Sequence, residues 1–253
     1  HGRIVRREDQ LIYDGRPIKL WGLNLCYGTC APEKSLAEKR AAFYRQYGIN
    51  AVRLHKYADG HGWAGIQSQG SFVEFEPEAL DRMDYQVAQF KEAGIYVKLS
   101  AHFGSQKLGP ADKQYVPYLE EFGTLRGPGS RVETPHSAVH YSPELQRVQI
   151  RQMVNLLRHR NPHTGLTYAE DPAVALVEIT NEDSLFMWNA ARDSVGARWG
   201  TAPVRIEAVD ARITMPAPAL VFVAVSVQDP GNLGAIGRAA DAAGATGVVA
   251  ASE

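Results

Sequence analysis

The chain has 253 residues, a formal net charge of -1 and 45% hydrophobic residues, so it can bury one or two ordinary globular cores. Its charge is too balanced for a broad electrostatic grip on nucleic acid. No apolar stretch reaches the roughly 18 to 20 residues of a membrane span, and His1-Gly2-Arg3 lacks the apolar core of a signal peptide. A soluble protein of unassigned compartment is expected. The chain begins without Met and stops at Glu253 directly after a strand-like run, which is compatible with truncation at either end. Cys26 and Cys30 have no second pair and no His close in sequence, so they read as two ordinary thiols rather than a zinc site, with a short-range disulfide as the competing reading.

In chain order, Ile4 to Ile18 reads as a hairpin turning at Asp14-Gly15. Lys19 to Asn24 is the first candidate for a buried strand. A helix from Ala31-Pro32 through Tyr47 stops at Gly48, and Ile49 to His55 is a second strand. A loop rich in Gly, His and aromatics runs from Lys56 to Phe75. Pro77 opens a helix with apolar residues at Leu80, Met83, Val87 and Phe90, closed by Gly94. Ile95 to Ala101 is a third strand that delivers His102. The Gly- and Pro-rich insertion from Phe103 to Tyr141 has the length of a functional or mobile loop. Ser142-Pro143-Glu144 caps a third helix running to about Arg160.

The fourth strand opens at Asp171-Pro172 as the apolar run Val174-Ala175-Leu176-Val177 and ends in Glu178-Ile179-Thr180-Asn181-Glu182-Asp183-Ser184. A continuous apolar run reads as a buried parallel strand, and such strands deliver chemistry at their C-terminal tips. Glu182 is therefore the first candidate for a catalytic carboxyl, with Asn181 beside it. The competing reading is a Glu that caps the next helix with Asp183 and Ser184. Alternating strands and helices imply parallel pairing with right-handed crossovers. With period-two alternation, Arg53 and His55 share a face, as do Lys98, Ser100 and His102, and Glu178, Thr180 and Glu182. Buried charges need partners, so Glu178 is expected to pair with Lys98 or Arg53 beneath the site.

The Asp14-Gly15-Arg16-Pro17 turn leading into Trp21-Gly22-Leu23-Asn24, the strand Gly48-Ile49-Asn50-Ala51-Val52-Arg53-Leu54 and the tip Glu178-Ile179-Thr180-Asn181-Glu182 together resemble clan A glycoside hydrolases. The likeness is to cellulase- and mannanase-like (β/α)8 enzymes of family 5 type, over about residues 3 to 195. It implies an α/β fold made of the first four β/α units of an incomplete TIM-type barrel, since a full barrel takes about 250 residues. It also implies that Glu182 is the general acid/base of a retaining hydrolase acting on β-linked glycans, that Asn181 binds the sugar 2-hydroxyl, and that Arg53 orients the nucleophile. That nucleophile sits on strand seven in the family and is expected to be missing here. His55, His102, Trp21 and Trp63 would line sugar subsites. Core histidines and a loop-anchoring Trp63 are the competing readings.

After residue 195 the composition shifts toward Ala, Val, Gly and Pro. Residues 1–199 read as the hydrolase part, 200–218 as a linker with an edge strand, and 219–253 as a second α/β piece. In that piece Ala219 to Val225 and Thr246 to Ala250 are strands flanking a helix from Ala235 to Ala243. Gln228 to Ala245 resembles the first motif of SpoU-type RNA ribose 2′-O-methyltransferases of the SPOUT class, and the likeness covers about residues 215 to 253. It implies RNA as partner, S-adenosylmethionine as cofactor, and Asn232 and Arg238 on the catalytic and RNA-binding surface. A plain N-cap and a solvated helix charge compete with that assignment. The whole chain reads as a chimera dominated by the hydrolase signal, with carbohydrate as substrate and neither metal nor cofactor required. His136 and His140 are bracketed by Pro135 and Pro143, against a helical metal pair. A non-catalytic sugar-binding half barrel that self-associates through its open sheet edge is a third reading.

Overall fold

In a computed structural model of the chain, residues 2–136 and 138–183 are described in full, and residues 221–225 and 247–251 as backbone strands. The chain divides into two compact units, His1–Gly200 and Thr201–Glu253.

The first unit opens with a small antiparallel meander, β1 (Val5–Arg7), β2 (Gln10–Tyr13) and β3 (Arg16–Pro17). The Asp14-Gly15 turn is present, with both residues left-handed, and a second turn at Glu8 makes three strands where the sequence implies two. The main sheet is fully parallel, in the order β4 (Gly22–Cys26), β5 (Ala51–His55), β6 (Tyr96–Ser100) and β9 (Val174–Glu178). Between β6 and β9 the insertion forms a short hairpin, β7 (Lys107–Leu108) with β8 (Val132–Glu133). In the second unit β10 (Val221–Val225) and β11 (Gly247–Ala251) pair in parallel.

Helices α1 (Lys34–Gln46), α2 (Pro77–Glu92) and α3 (Pro143–Arg158) fill the crossovers of the main sheet. Their ends follow local chemistry. Proline takes the first turn of α2 and α3, where its missing N–H costs nothing, and the Ser142 hydroxyl accepts from the Leu145 amide at 3.2 Å. Gly48 and Gly94 leave α1 and α2 in the left-handed conformation. One face of the sheet, carrying Leu54, Val97 and Leu99, packs with Met83, Val87, Phe90 and Leu156 in a dry core.

The edge strand β4 departs from expectation. It starts at Gly22 rather than Lys19 and is exposed over Gly22–Asn24, with Leu25 reaching the core, since among the described residues it has a strand neighbour on one side only. Trp21 and Leu23 are exposed, as are Val177 and Ile179 at the opposite edge.

The insertion is also more than a loop. Leu108, Val116, Leu119, Val132 and Val139 form a second core with Phe72, Val73 and α3 residues Leu145 and Val148. Its polar centre is Asp112, buried, which accepts from the Ser71 hydroxyl and from the amides of Phe72 and Gly109. Cys26 and Cys30 are free thiols. Among the described residues no helix is long and apolar enough to cross a membrane.

The link from α3 to β9 runs through a buried carboxylate on α2. Asp84 accepts from the Tyr168 hydroxyl at 2.8 Å and lies 2.7 Å from His159 Nε2, while its carbonyl accepts from Asn161 Nδ2 at 2.9 Å. Burial pushes the Asp84 carboxyl up, against the hydrogen bonds from His159 and Tyr168. Removing it strands a buried hydroxyl and an imidazole, so Asp84→Ala is expected to cost about 3 kcal/mol. Urea unfolding should show a lower midpoint at unchanged slope, and a variant as stable as the parent would remove Asp84 from this linking role.

Candidate active site

The second face of the main sheet is polar. Register places Asn24 opposite Arg53 and Arg53 opposite Lys98, and one layer nearer the C-terminal ends it aligns Cys26, His55, Ser100 and Glu178. A register shift between Val97 and Lys98 moves β9 along by one residue and sets Lys98 opposite Leu176. Glu178 remains the centre of the column. Its Oε1 accepts from Lys98 Nζ at 2.7 Å, and its Oε2 accepts from Arg53 through Nε at 3.1 Å and through Nη2. Both cations expected as alternatives thus bind the same carboxylate. Burial pushes Glu178 up, but hydrogen bonds from Lys98, Ser100 and Arg53 outweigh it and hold the carboxyl below its ordinary range.

Arg53 also donates from Nη2 to Asn181 Oδ1 and, at 3.3 Å, to the Ser100 hydroxyl. It therefore spans from the structural carboxylate to the residue preceding Glu182. Ser100 in turn lies 2.9 Å from His55 Nδ1. Burial, with Arg53 and Lys56 nearby, lowers the His55 pKa to about 4, so the ring is neutral at pH 7. Burial likewise lowers His102 to about 4. His102 packs edge-on to Phe72, and its buried Nδ1 meets no hydrogen-bond partner among the described residues.

The tip itself corrects the simple alternation. β9 ends at Glu178, and Glu182 is exposed with φ 45°, so a left-handed turn rather than strand pleat sets its direction. The turn is held from two sides. Gln149 Nε2 of α3 donates to the Ile179 carbonyl at 2.8 Å, and the Asp183 carboxylate, almost fully buried, lies 3.4 Å from His140 Nε2 of the insertion.

The sequence-derived candidates separate accordingly. Arg53, His55, Asn181 and Glu182 gather at the C-terminal end of the sheet, with His102 just beyond β6. Trp63 stands in the loop after β5, 79% exposed, with its ring centre 5.5 Å from that of Tyr27. Trp21 is placed elsewhere. It enters β4 at the N-terminal end, where its amide donates to Asn50 Oδ1 at 2.7 Å, so it stands across the strand from the tip residues. Asn232 and Arg238 lie outside the described residues. Tyr27, Lys56 and the His140–Asp183 pair are additions from the structure; for Tyr27 and Lys56 the sequence signal is position alone, directly after a strand, and His140 carries none. Among the described residues no group of three or more His, Cys, Asp or Glu side chains is arranged to hold a metal ion. A separate cleft of about 590 Å³ opens between the first turns of α1 and α2, walled by Lys34, Asp81 and Arg82, and holds none of these residues.

No family model matches the chain, the SpoU-like stretch included. Over 183 residues, 71% of its length, the chain is 27% identical to mannan endo-1,4-beta-mannosidase 2 of Oryza sativa subsp. japonica. Over 184 residues it is 24% identical to mannan endo-1,4-beta-mannosidase 2 of Arabidopsis thaliana. Those alignments cover 39% and 40% of the two proteins, so the chain spans about two fifths of the length of the curated relatives it matches. Among solved structures, the endo-1,4-beta-mannanase of Rhizomucor miehei superposes with a TM-score of 0.53 at 19% identity, covering 72% of this chain and 48% of that one. A glycoside hydrolase family 5 mannosidase from the same organism gives a TM-score of 0.52 at 15% identity, covering 72% and 49%. The chain is thus similar in sequence to mannan endo-1,4-beta-mannosidases, and its parallel α/β sheet has the fold of part of a family 5 barrel.

Proposed function

We propose that the first unit carries the acid/base side of a retaining glycoside hydrolase site acting on β-1,4-linked mannan. The observation that supports this most is the single Arg53 guanidinium that holds both Glu178 and Asn181, fixing the residue beside Glu182. In the first step a carboxylate about 5 to 5.5 Å from Glu182 attacks the anomeric carbon, the glycosidic C–O bond breaks, and Glu182 gives its proton to the departing oxygen. In the second, Glu182 takes a proton from water as that water attacks the anomeric carbon and releases the carboxylate. Water is the only co-reactant. Glu178 is a poor choice for the attacking group, since Lys98 and Arg53 occupy both its oxygens. We assign the attack to a carboxylate outside the described residues, on strand seven by the family resemblance. Asn181 would hold the 2-hydroxyl, and His55, His102 and Trp63 would contact sugar.

A second reading, a sugar-binding half barrel that self-associates, is favoured by the exposed Leu23 and Val177 on the two edge strands. For the stretch from 219 onward the alternative is a truncated SpoU-like methyltransferase fragment, with RNA as partner and S-adenosylmethionine as cofactor under that alternative alone. Calorimetric titration with S-adenosylmethionine tests it, and absence of binding removes the cofactor assignment.

With the strand-seven carboxylate supplied by a longer chain or a partner, Glu182→Gln is expected to lower turnover of β-1,4-mannan about 10²- to 10⁴-fold. Sodium azide, which needs no base to attack, should restore turnover of dinitrophenyl β-mannoside by that variant. Unchanged turnover would overturn the assignment of Glu182. No turnover from a folded parent chain that still binds mannan oligosaccharide would favour the half-barrel reading.

Glu178→Ala leaves two cations unpaired and is expected to cost about 3 kcal/mol or more. The pH dependence has a definite sign. The folded-state pKa of Glu178 is lowered, so its contribution is complete above the ordinary Glu value of about 4.3 and fades as pH falls through the folded value. The stability gap between the parent chain and Glu178→Gln, measured by denaturant titration, should therefore narrow as pH drops below about 4. A constant gap would mean that the pairing is not what stabilises the column.

A further inference from the structure

Three of the four strands of the main sheet are followed by a non-glycine residue in the left-handed conformation. Tyr27 directly after β4 has φ 55°, Lys56 directly after β5 has φ 57°, and Glu182 beyond β9 has φ 45°. The other two such residues, Glu8 and Asp14, lie in the turns of the N-terminal meander. This conformation costs on the order of 1 to 3 kcal/mol each and gathers where function requires a particular side-chain direction. Glu182 has a role in the reading above. Tyr27 and Lys56 have none.

The two are joined. Lys56 Nζ donates to the Tyr27 hydroxyl at 3.1 Å and lies 4.4 Å from the centre of the Phe103 ring, a cation–π contact. Among the described residues Arg53 and Lys98 pair with Glu178 and Lys107 of β7 pairs with Asp59, while Lys56 forms no ion pair. Asp59, the carboxylate nearest to it in sequence, is taken by Lys107 at 2.7 Å and by the Phe103 amide at 3.2 Å. Tyr27 links this ammonium to Trp63, whose ring centre lies 5.5 Å from its own. The Trp63 loop closes down on Gly28, where a Cβ would come within 3.0 Å of the Trp63 carbonyl, and Tyr27 tilts against the indole. Trp63 as a whole is largely exposed.

A positive charge fixed by aromatic rings, next to an exposed aromatic plane, is complementary to a ring that carries a negative charge. We propose that Lys56, Tyr27 and Trp63 form a subsite for a uronic acid unit of the glycan, with Lys56 binding the carboxylate and Trp63 stacking on the pyranose face. The charge balance favours an acid over a neutral hydroxyl. Glu178 faces two cations, His55 is neutral, and a catalytic carboxylate beside Arg53 would absorb the excess there but not at Lys56. Strands lie about 4.8 Å apart, so a subsite at the β5 tip stands roughly 10 Å from the β9 tip, far enough to bind a unit remote from the cleaved bond. This inference rests on the carbohydrate reading above and names a feature of its substrate.

The test uses a β-1,4-mannan oligosaccharide bearing one glucuronate and the same glycan with its carboxyl reduced to an alcohol, both titrated calorimetrically at pH 7. The parent chain is expected to bind the acidic form about tenfold tighter, the scale of one charge-assisted hydrogen bond. The preference should shrink in high salt, vanish in Lys56→Gln with little change for the reduced glycan, and survive in Lys56→Arg. Trp63→Ala should weaken both forms alike. Equal affinities in the parent chain, or a preference retained by Lys56→Gln, would overturn the subsite, as would free glucuronate competing as well as the oligosaccharide. Binding is read without turnover, so this failure stands apart from a failed Glu182 assignment. A chain that binds neither glycan removes the carbohydrate reading itself.

Discussion

Two cations and one carboxylate share the polar face of the sheet, and the placement of the tip residues follows from that imbalance. Arg53 and Lys98 are both partly buried and both turned to Glu178, which must stay ionised to hold them. Breaking such an arrangement leaves charge stranded in a low-dielectric surrounding, at a cost of several kcal/mol. The surplus of donors on Arg53 is what reaches Asn181 and Ser100. A lysine at position 53 could balance the charge but could not spread along the strand tips in the same way, because only a guanidinium carries a planar fork of five donors.

The sheet has two differently made faces, and the contrast explains where rigidity and strain reside. Helices α1, α2 and α3 cover the apolar face with interlocking side chains, which fixes the strand ends to which the loops attach. Strain is tolerable at those ends because the packing behind them over-determines the backbone. Gly65 illustrates the limit. Its φ of 131° and the Tyr57 carbonyl oxygen, 2.2 Å from where a Cβ would sit, exclude any side chain at this one position of the loop that carries Trp63.

Much of the architecture is legible in the sequence because strand parity and helix stops are local. Gly48 and Gly94 mark two helix ends, Ser142-Pro143 marks a beginning, and the alternation of Arg53 with His55 and of Lys98 with Ser100 marks the polar face. What escapes is what depends on long-range packing. The sequence around Lys19 to Asn24 is apolar enough for a buried strand, but burial depends on neighbours that local pattern does not encode. Strand alternation carried through to Glu182 fails because the chain leaves the pleat at Glu178 and turns left-handed. The second core was invisible because its members are scattered through a Gly- and Pro-rich stretch with no period. Trp21 shows the same limit at the level of the site, since its residue type fits a sugar platform while only the structure places it at the N-terminal end of β4, away from the strand tips.

The insertion and the turn that carries Glu182 are not mechanically separate. The insertion's core includes Leu145 and Val148 of α3, and the same helix, through Gln149, holds the Ile179 carbonyl at the start of the tip, while His140 meets Asp183 at its end. Any ligand that stiffens the insertion therefore lowers the conformational freedom left for the tip to lose. Coupling of this kind is reciprocal, so occupancy at the tip must tighten the insertion by the same free energy. Differences in the insertion among related chains then become differences in how reluctantly the Glu182 turn moves, without alteration of any residue in the turn itself.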